Sequence, residues 1–348
     1  MLISRSNENI KTETYFSFYS GSDGDDGPIE EDPERILFVE RFLNASVKSL
    51  IESDSADSTL LHSFVREINN ESANLKELLN KFSAVEQVTI LTAEESNKNR
   101  STILHILASN PASHEVLSDI LDTFLHENQP KTKKILMQKD SKGETILHIL
   151  SKKAREGASL STLQHVIQFY GNYLLKNIIE SQTQTNPLNL AIVAGNTEGA
   201  KILMQNEYFL ASGLNALQSS IKYTNPELVR FILDNNPDLR NQLDKKNSSP
   251  LHLVASLPWL SEEASSEVKQ MRQDILKQLL EKNLSDVNQL NSQEENCVHV
   301  AISSGFVDAA MMIITHLQEF GDKELNRKKS VTKKKKNAGM SIRIEMNS

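Results

Sequence analysis

The sequence predicts an all-α protein: a solenoid of about seven helix-turn-helix repeats behind an N-terminal capping helix. Three observations predict it. A short frame, T-x-L-H, recurs at "STLLHSF" (58–64), "STILHIL" (101–107) and "ETILHIL" (144–150). Stretches with apolar residues at helical spacing follow each copy of the frame. The composition, 38% apolar with only 12 Gly and 9 Pro in 348 residues, suits a helix-rich chain without collagen-like or wholly disordered bias.

The frame is justified first, because internal repeats set the architecture. With the Thr of T-x-L-H as origin, Thr59, Thr102 and Thr145 fit directly. Weaker copies start at Asn186 ("NPLNLAIVAG"), Asn215 ("NALQSSIK"), Ser249 ("SPLHLVAS") and Asn296 ("NCVHVAISSG"). Successive spacings are 43, 43, 41, 29, 34 and 47 residues. Five of the nine histidines, His62, His105, His148, His252 and His299, hold one position of the frame. A catalytic or metal-binding histidine has no need of five copies, so these are read as structural. Thr, Ser or Asn at the origin can cap a helix, and Pro187 and Pro250 suit its first turn.

The frame resembles the ankyrin repeat, whose consensus runs D-x-x-G-x-T-P-L-H-x-A before a second helix. Asp140, Gly143, Thr145, Leu147 and His148 match it, as do Asp244, Pro250, Leu251, His252 and Ala255. Pro187, Leu188, Ala191 and Gly195 match a third time, and "DVNQLN" (286–291) matches the turn before the last repeat. The resemblance covers roughly residues 55–318. It implies that the frame histidine bonds neighbouring backbone and fixes the turn. It also implies recognition of a partner protein through a concave face built from hairpin tips and first-helix ends. The irregular spacing resembles ankyrin-repeat effectors of intracellular bacteria, delivered into a host cell. A resident scaffold or adaptor is the alternative, and an enzyme with a site built on the solenoid is a lesser one.

The elements follow in chain order. Residues 1–32 form an acidic, disordered tail: positions 21–35 hold seven acids and one base, just after the aromatic "YFSFYSG" (15–21). Residues 33–54 are a capping helix with Ile36, Val39, Leu43, Val47 and Leu50 on one stripe. Residues 55–320 are the repeats. Their second helices include "HEVLSDILDTFL" (114–125), "EGAKILMQN" (198–206), "PELVRFILDN" (226–235) and "VDAAMMIITHL" (307–317), in which Met311 and Met312 fill the core. The long spacings predict longer second helices or an extra one, such as "KTKKILMQ" (131–138). The largest insertion (258–282) predicts a long helix and carries Trp259. Residues 321–348 form a disordered basic tail, and "RKKSVTKKKK" (327–336) resembles a nuclear-import signal or a tether to an anionic surface.

The function classes narrow accordingly. The single cysteine, Cys297, rules out an internal disulfide framework. No apolar run approaches the length of a membrane span, and the first residues lack the apolar stretch of a secretory signal. A soluble protein of cytoplasmic type is expected, with membrane contact only through the basic tail. No phosphate loop, nucleophile elbow or H-E-x-x-H motif appears. Cys297 and His299 lie two residues apart on a helix and point in different directions. No catalytic, metal or cofactor residue is therefore assigned, and no small-molecule substrate is expected. The acidic body and few aromatics argue against nucleic acid.

The family's contact offsets give the candidate partner-binding residues Lys98, Lys142, Lys152, Lys153, Lys222, Tyr223, Lys245 and Lys246, with Arg66 beside them. Net charge is −8, and residues 322–348 alone carry +6, so the rest carries −14. A basic stripe on an acidic body predicts a partner with an acidic surface.

Overall fold

A computed structural model describes residues 42–52, 59–67, 72–95, 98–124, 130–180, 186–210, 213–257, 265–280 and 285–319. Regular structure there is helical. The chain divides into two compact units: residues 1–153 with 168–171, and residues 154–167 with 172–348.

In the first unit, the frame at Thr59, Thr102 and Thr145 starts α2 (Leu60–Glu67), α5 (Ile103–Ser109) and α8 (Ile146–Lys153). These first helices lie side by side in order, α2 on α5 and α5 on α8. Behind them α3 (Ser72–Asn80) packs on α6 (His114–Phe124). The 43-residue spacings are taken up by a third helix in each repeat, α4 (Ala84–Thr92) and α7 (Pro130–Leu136), which pack on each other. The apolar stripe of α6 is buried as its spacing predicts, through Val116, Ile120, Leu121 and Phe124. Tyr170 is buried in this unit, its hydroxyl donating to the Leu136 carbonyl, and burial pushes its pKa up.

The expected single capping helix is interrupted. Phe42 and Leu43 are helical, the chain turns at Asn44, and α1 (Val47–Ile51) starts afresh with Ser46 as its N-cap. A Ser side chain that accepts from the Ser49 N–H makes this restart favourable. Residues 33–41 and 53–54 lie outside the described residues. The stripe still buries Leu50, and Phe42 stacks on Phe64 with ring centroids 3.5 Å apart. Thus α1 rests on α2 and α4 and covers the first repeat.

In the second unit, α10 (Pro187–Val193), α13 (Gly213–Lys222), α15 (Pro250–Ala255) and α17 (Cys297–Ser303) form one layer in sequence. A second layer comprises α11 (Thr197–Met204), α14 (Pro226–Asn235) and α16 (Ser266–Leu280), each packed on the first helix of its own repeat. A short α12 (Glu207–Leu210) follows α11. The last helix among the described residues, α18, spans 307–319. The fifth frame is offset, since α13 begins two residues before Asn215. The long insertion supplies α16, and Trp259 lies outside the described residues. On α14, whose spacing predicts burial of Leu228, Phe231 and Ile232, Phe231 is half-buried, and the buried side consists of Leu228, Val229, Ile232 and Leu233. Between the frames of Thr145 and Asn186 runs α9 (Gly157–Glu180), kinked at Gly171, where φ is 55°.

Met311 corrects an expectation. It is 56% exposed, while Ala309, Ala310 and Ile313 form the buried side of α18. No helix among the described residues is long and apolar enough to cross a membrane.

Candidate protein-interaction surface

The turns before the frames share one construction. Asp140 Oδ1 accepts from the N–H groups of Lys142 and Glu144 at 2.8 and 2.9 Å. Asp244 Oδ1 takes Lys246 and Ser248 in the same way, at 2.7 and 2.8 Å. Asn291 Oδ1 takes Gln293 and Glu295 at 2.8 and 3.0 Å. Each turn closes through a residue with positive φ: Gly143, Asn247 and Glu294. Glycine suits that conformation best, and asparagine tolerates it. The carboxylate or amide is spent holding the turn, so the residues between, Lys142, Lys245 and Lys246, are pushed outward and exposed.

Successive turns are tied together. Ser141 N–H donates to the Asn99 carbonyl at 2.9 Å, which sets Lys98 and Lys142 on neighbouring tips of the first unit. Ser292 donates to the Lys246 carbonyl through N–H and hydroxyl, at 2.9 and 2.7 Å. That brings Gln293 and Glu294 beside Lys245 and Lys246 in the second unit. The first pair of tips is basic, and the second is mixed in sign.

The frame histidines hold these turns from behind. His105 Nδ1 accepts from the Thr102 N–H at 3.2 Å. A backbone N–H can only donate, so the ring proton sits on Nε2, which donates to the Gln138 and Glu144 carbonyls, both at 3.2 Å. His252 repeats this between the Ser249 N–H and the Glu295 carbonyl, at 3.2 and 3.1 Å. His148 accepts from Thr145 in the same way, and His62 contacts the Thr59 hydroxyl. All four are buried. Burial pushes the pKa of His62, His105 and His252 below the ordinary value. His114, on α6, donates from Nε2 to the Ala108 carbonyl at 3.0 Å, and burial lowers its pKa likewise. His299 differs: its Nδ1 accepts from Asn296 at 3.4 Å, but the ring is exposed.

The candidate bases divide into two kinds. Lys98, Lys142 and Lys153 in the first unit are exposed, without a carboxylate partner among the described residues, as are Lys222, Lys245 and Lys246 in the second. Lys152 is held 2.5 Å from the buried Glu144, and Arg66 pairs with the buried Glu95. These two therefore contribute less outward charge than their positions in the sequence imply. Tyr223 is 47% exposed, with the Lys222 ammonium 5.8 Å from its ring centre.

The first helices of the second unit also enclose an open groove of about 450 Å³. Asn189, Asn215, Gln218, Ser219, Lys222 and Asp244 line its polar side. Offset arithmetic overlooks the amides. Asn189 and Gln218 stand at the histidine position of their frames, and that was the signal available to find them. Cys297 is buried, its thiol 3.5 Å from the Val287 carbonyl. Among the described residues, no group of three or more His, Cys, Asp or Glu is placed to hold a metal ion.

No family model matches the sequence, and no curated protein matches it. Among solved structures, the chain is similar to the ankyrin repeat domain of Bcl-3, described as a unique member of the IkappaB protein family. Identity is 16%, the match covers 74% of this chain and 99% of that one, and the TM-score is 0.50. The turn, the histidine staple and the two-layer stacking agree with that likeness: this chain has the ankyrin-repeat fold.

Proposed function

We propose that the protein is a binding module for another protein, which it engages through exposed lysines on its turn tips and first-helix ends. One observation carries this reading: Lys98 and Lys142 are exposed on turns joined by the Ser141–Asn99 hydrogen bond, and no carboxylate neutralises them among the described residues. An acidic partner surface complements such tips. Attraction between exposed charges speeds encounter and is screened by salt. In the second unit, Lys222 lines the amide-lined groove and Tyr223 follows it, an exposed aromatic of a type enriched among the residues that dominate interface energetics. The same surface serves a resident adaptor and a delivered effector alike.

The test uses the full chain and a fluorescent poly-glutamate peptide as a model acidic partner. Lys98→Glu with Lys142→Glu should weaken binding by about tenfold or more, equivalent to about 1.4 kcal/mol. Wild-type binding should fall as salt rises, and the variant should melt as the wild type does. Equal affinity of a folded double variant would end this reading.

A further inference from the structure

A frame histidine works as a staple because its Nε2 proton meets a carbonyl of the next turn: Glu144 for His105 and Glu295 for His252. Two frames of the second unit carry an amide in its place, Asn189 on α10 and Gln218 on α13. Among the described residues, neither amide reaches a following turn. The Asn189 side chain is joined only to the Ser219 hydroxyl, at 2.8 Å, and Gln218 forms no side-chain hydrogen bond. The open groove lies where these two positions face each other across the packed pair α10 and α13. The donors of a staple are present there without the acceptor.

The other polar groups of the groove lean the same way. Asn186 Oδ1 accepts from the Leu188 N–H at 2.8 Å, which leaves its amide nitrogen to face outward partners. Asn189 Oδ1 accepts from Ser219. Asp244 Oδ1 is spent on the N–H groups of its own turn. Oxygen is thus mostly used up within the protein, whereas amide N–H groups and the Lys222 ammonium are left over. A complementary ligand carries acceptor oxygens along its length and a negative charge at one end. Asn215, Gln218 and Lys222 follow one another at three and four residues, so they share one face of α13. The seven residues from Asn215 to Lys222 rise about 10 Å. An extended chain covers that distance in about three residues.

We infer that this groove holds an extended peptide segment of a partner, about three residues long. Its main-chain carbonyls accept from Asn186, Asn189 and Gln218, and its carboxylate meets Lys222. Leu188, Ile192 and Leu253 supply the apolar floor beneath it. The inference rests on the reading of the chain as a protein-binding module, and it names what the second unit holds. Main chain and one carboxylate are recognised, so the remaining side chains of the segment are free to vary.

Nuclear magnetic resonance on the isotope-labelled full chain tests this. The side-chain amide signals of Asn189 and Gln218 are identified by their loss in Asn189→Ser and Gln218→Leu. Acetyl-Ala-Ala-Ala-Glu amide carries its carboxylate on a side chain, and acetyl-Ala-Ala-Ala-Ala free acid carries it at the chain end. Saturable shifts of both amides with one of these peptides are expected, and the peptide that binds more tightly identifies the source of the carboxylate. Lys222→Met, a change at an exposed position, should weaken that binding several-fold. Unmoved amides with both acids would overturn the inference. So would equal shifts with the neutral acetyl-Ala-Ala-Ala-Ala amide or with sodium acetate, or full binding by Lys222→Met. Lys98→Glu with Lys142→Glu lies in the first unit and should leave this titration unchanged. Acid peptides that fail here while poly-glutamate still binds at Lys98 and Lys142 therefore end this inference alone.

Discussion

At the scale of single residues, the histidine staple joins backbone that is far apart in sequence. His105 connects Thr102 to carbonyls 33 and 39 positions from itself. Removing the ring leaves buried backbone acceptors without their donor, which costs about 1–3 kcal/mol. His105→Ala should lower stability by that amount in denaturant melts, and His299→Ala, whose ring is exposed, should lower it far less. Acid should act on the same bonds. Burial holds the imidazoles of His62, His105, His114 and His252 below 6.5, so the unfolded chain takes up protons first as pH falls. The stability these neutral rings contribute is complete above 6.5 and drains away as pH drops through that value toward the lowered ones. The melting temperature should therefore fall between about pH 7.5 and pH 5.5, and His105→Gln should flatten that slope. The frame histidines were legible in the sequence because they repeat, whereas His114, outside the frame, was not. The burial of Glu144 and its pairing with Lys152 were not, since eight residues of separation gives no sign that a turn and a helix end will meet.

At the scale of elements, helices of seven to eleven residues are too short to persist alone and depend on neighbours. The stack of α2, α5 and α8 supplies them, and α1 closes its first face. Phe42→Ala removes a ring stacked on Phe64 and should cost about 3–5 kcal/mol locally. Because stability in repeat arrays is carried by nearest neighbours, hydrogen exchange should speed up in α2 and α5 and stay unchanged in α15 and α17. Uniform acceleration along the chain would contradict this. The apolar stripe of α6 could be read from spacing, and so could the helices α7, α14 and α18, but spacing alone misassigned Phe231 on α14 and Met311 on α18. The restart at Ser46 could not, because the stripe of Leu43, Val47 and Leu50 runs on without a break in the sequence. The third helix α4 was equally hidden: "AVEQVTILT" is too uniformly apolar on its C-terminal half to announce a helical face.

At the scale of the molecule, repeat spacing and the total number of frames were evident from sequence, while the exposure of Ile302 in the last frame was not. Ile302 reads as one more core residue, yet it is 58% exposed while Val65, Ala108, Ser151, Ile192, Ile221 and Ala255, each six positions after the origin of an earlier frame, are buried. The staples of His105 and His252 also share a direction. In each, the ring belongs to the earlier repeat and the acceptor carbonyl to the turn of the later one. On a ribosome that order becomes a schedule. A histidine leaves the exit tunnel dozens of residues before the carbonyl it needs, so each repeat stays half-fastened until its successor has been synthesised. The nascent chain thus fastens the repeats of His105 and His252 one step behind its growing end.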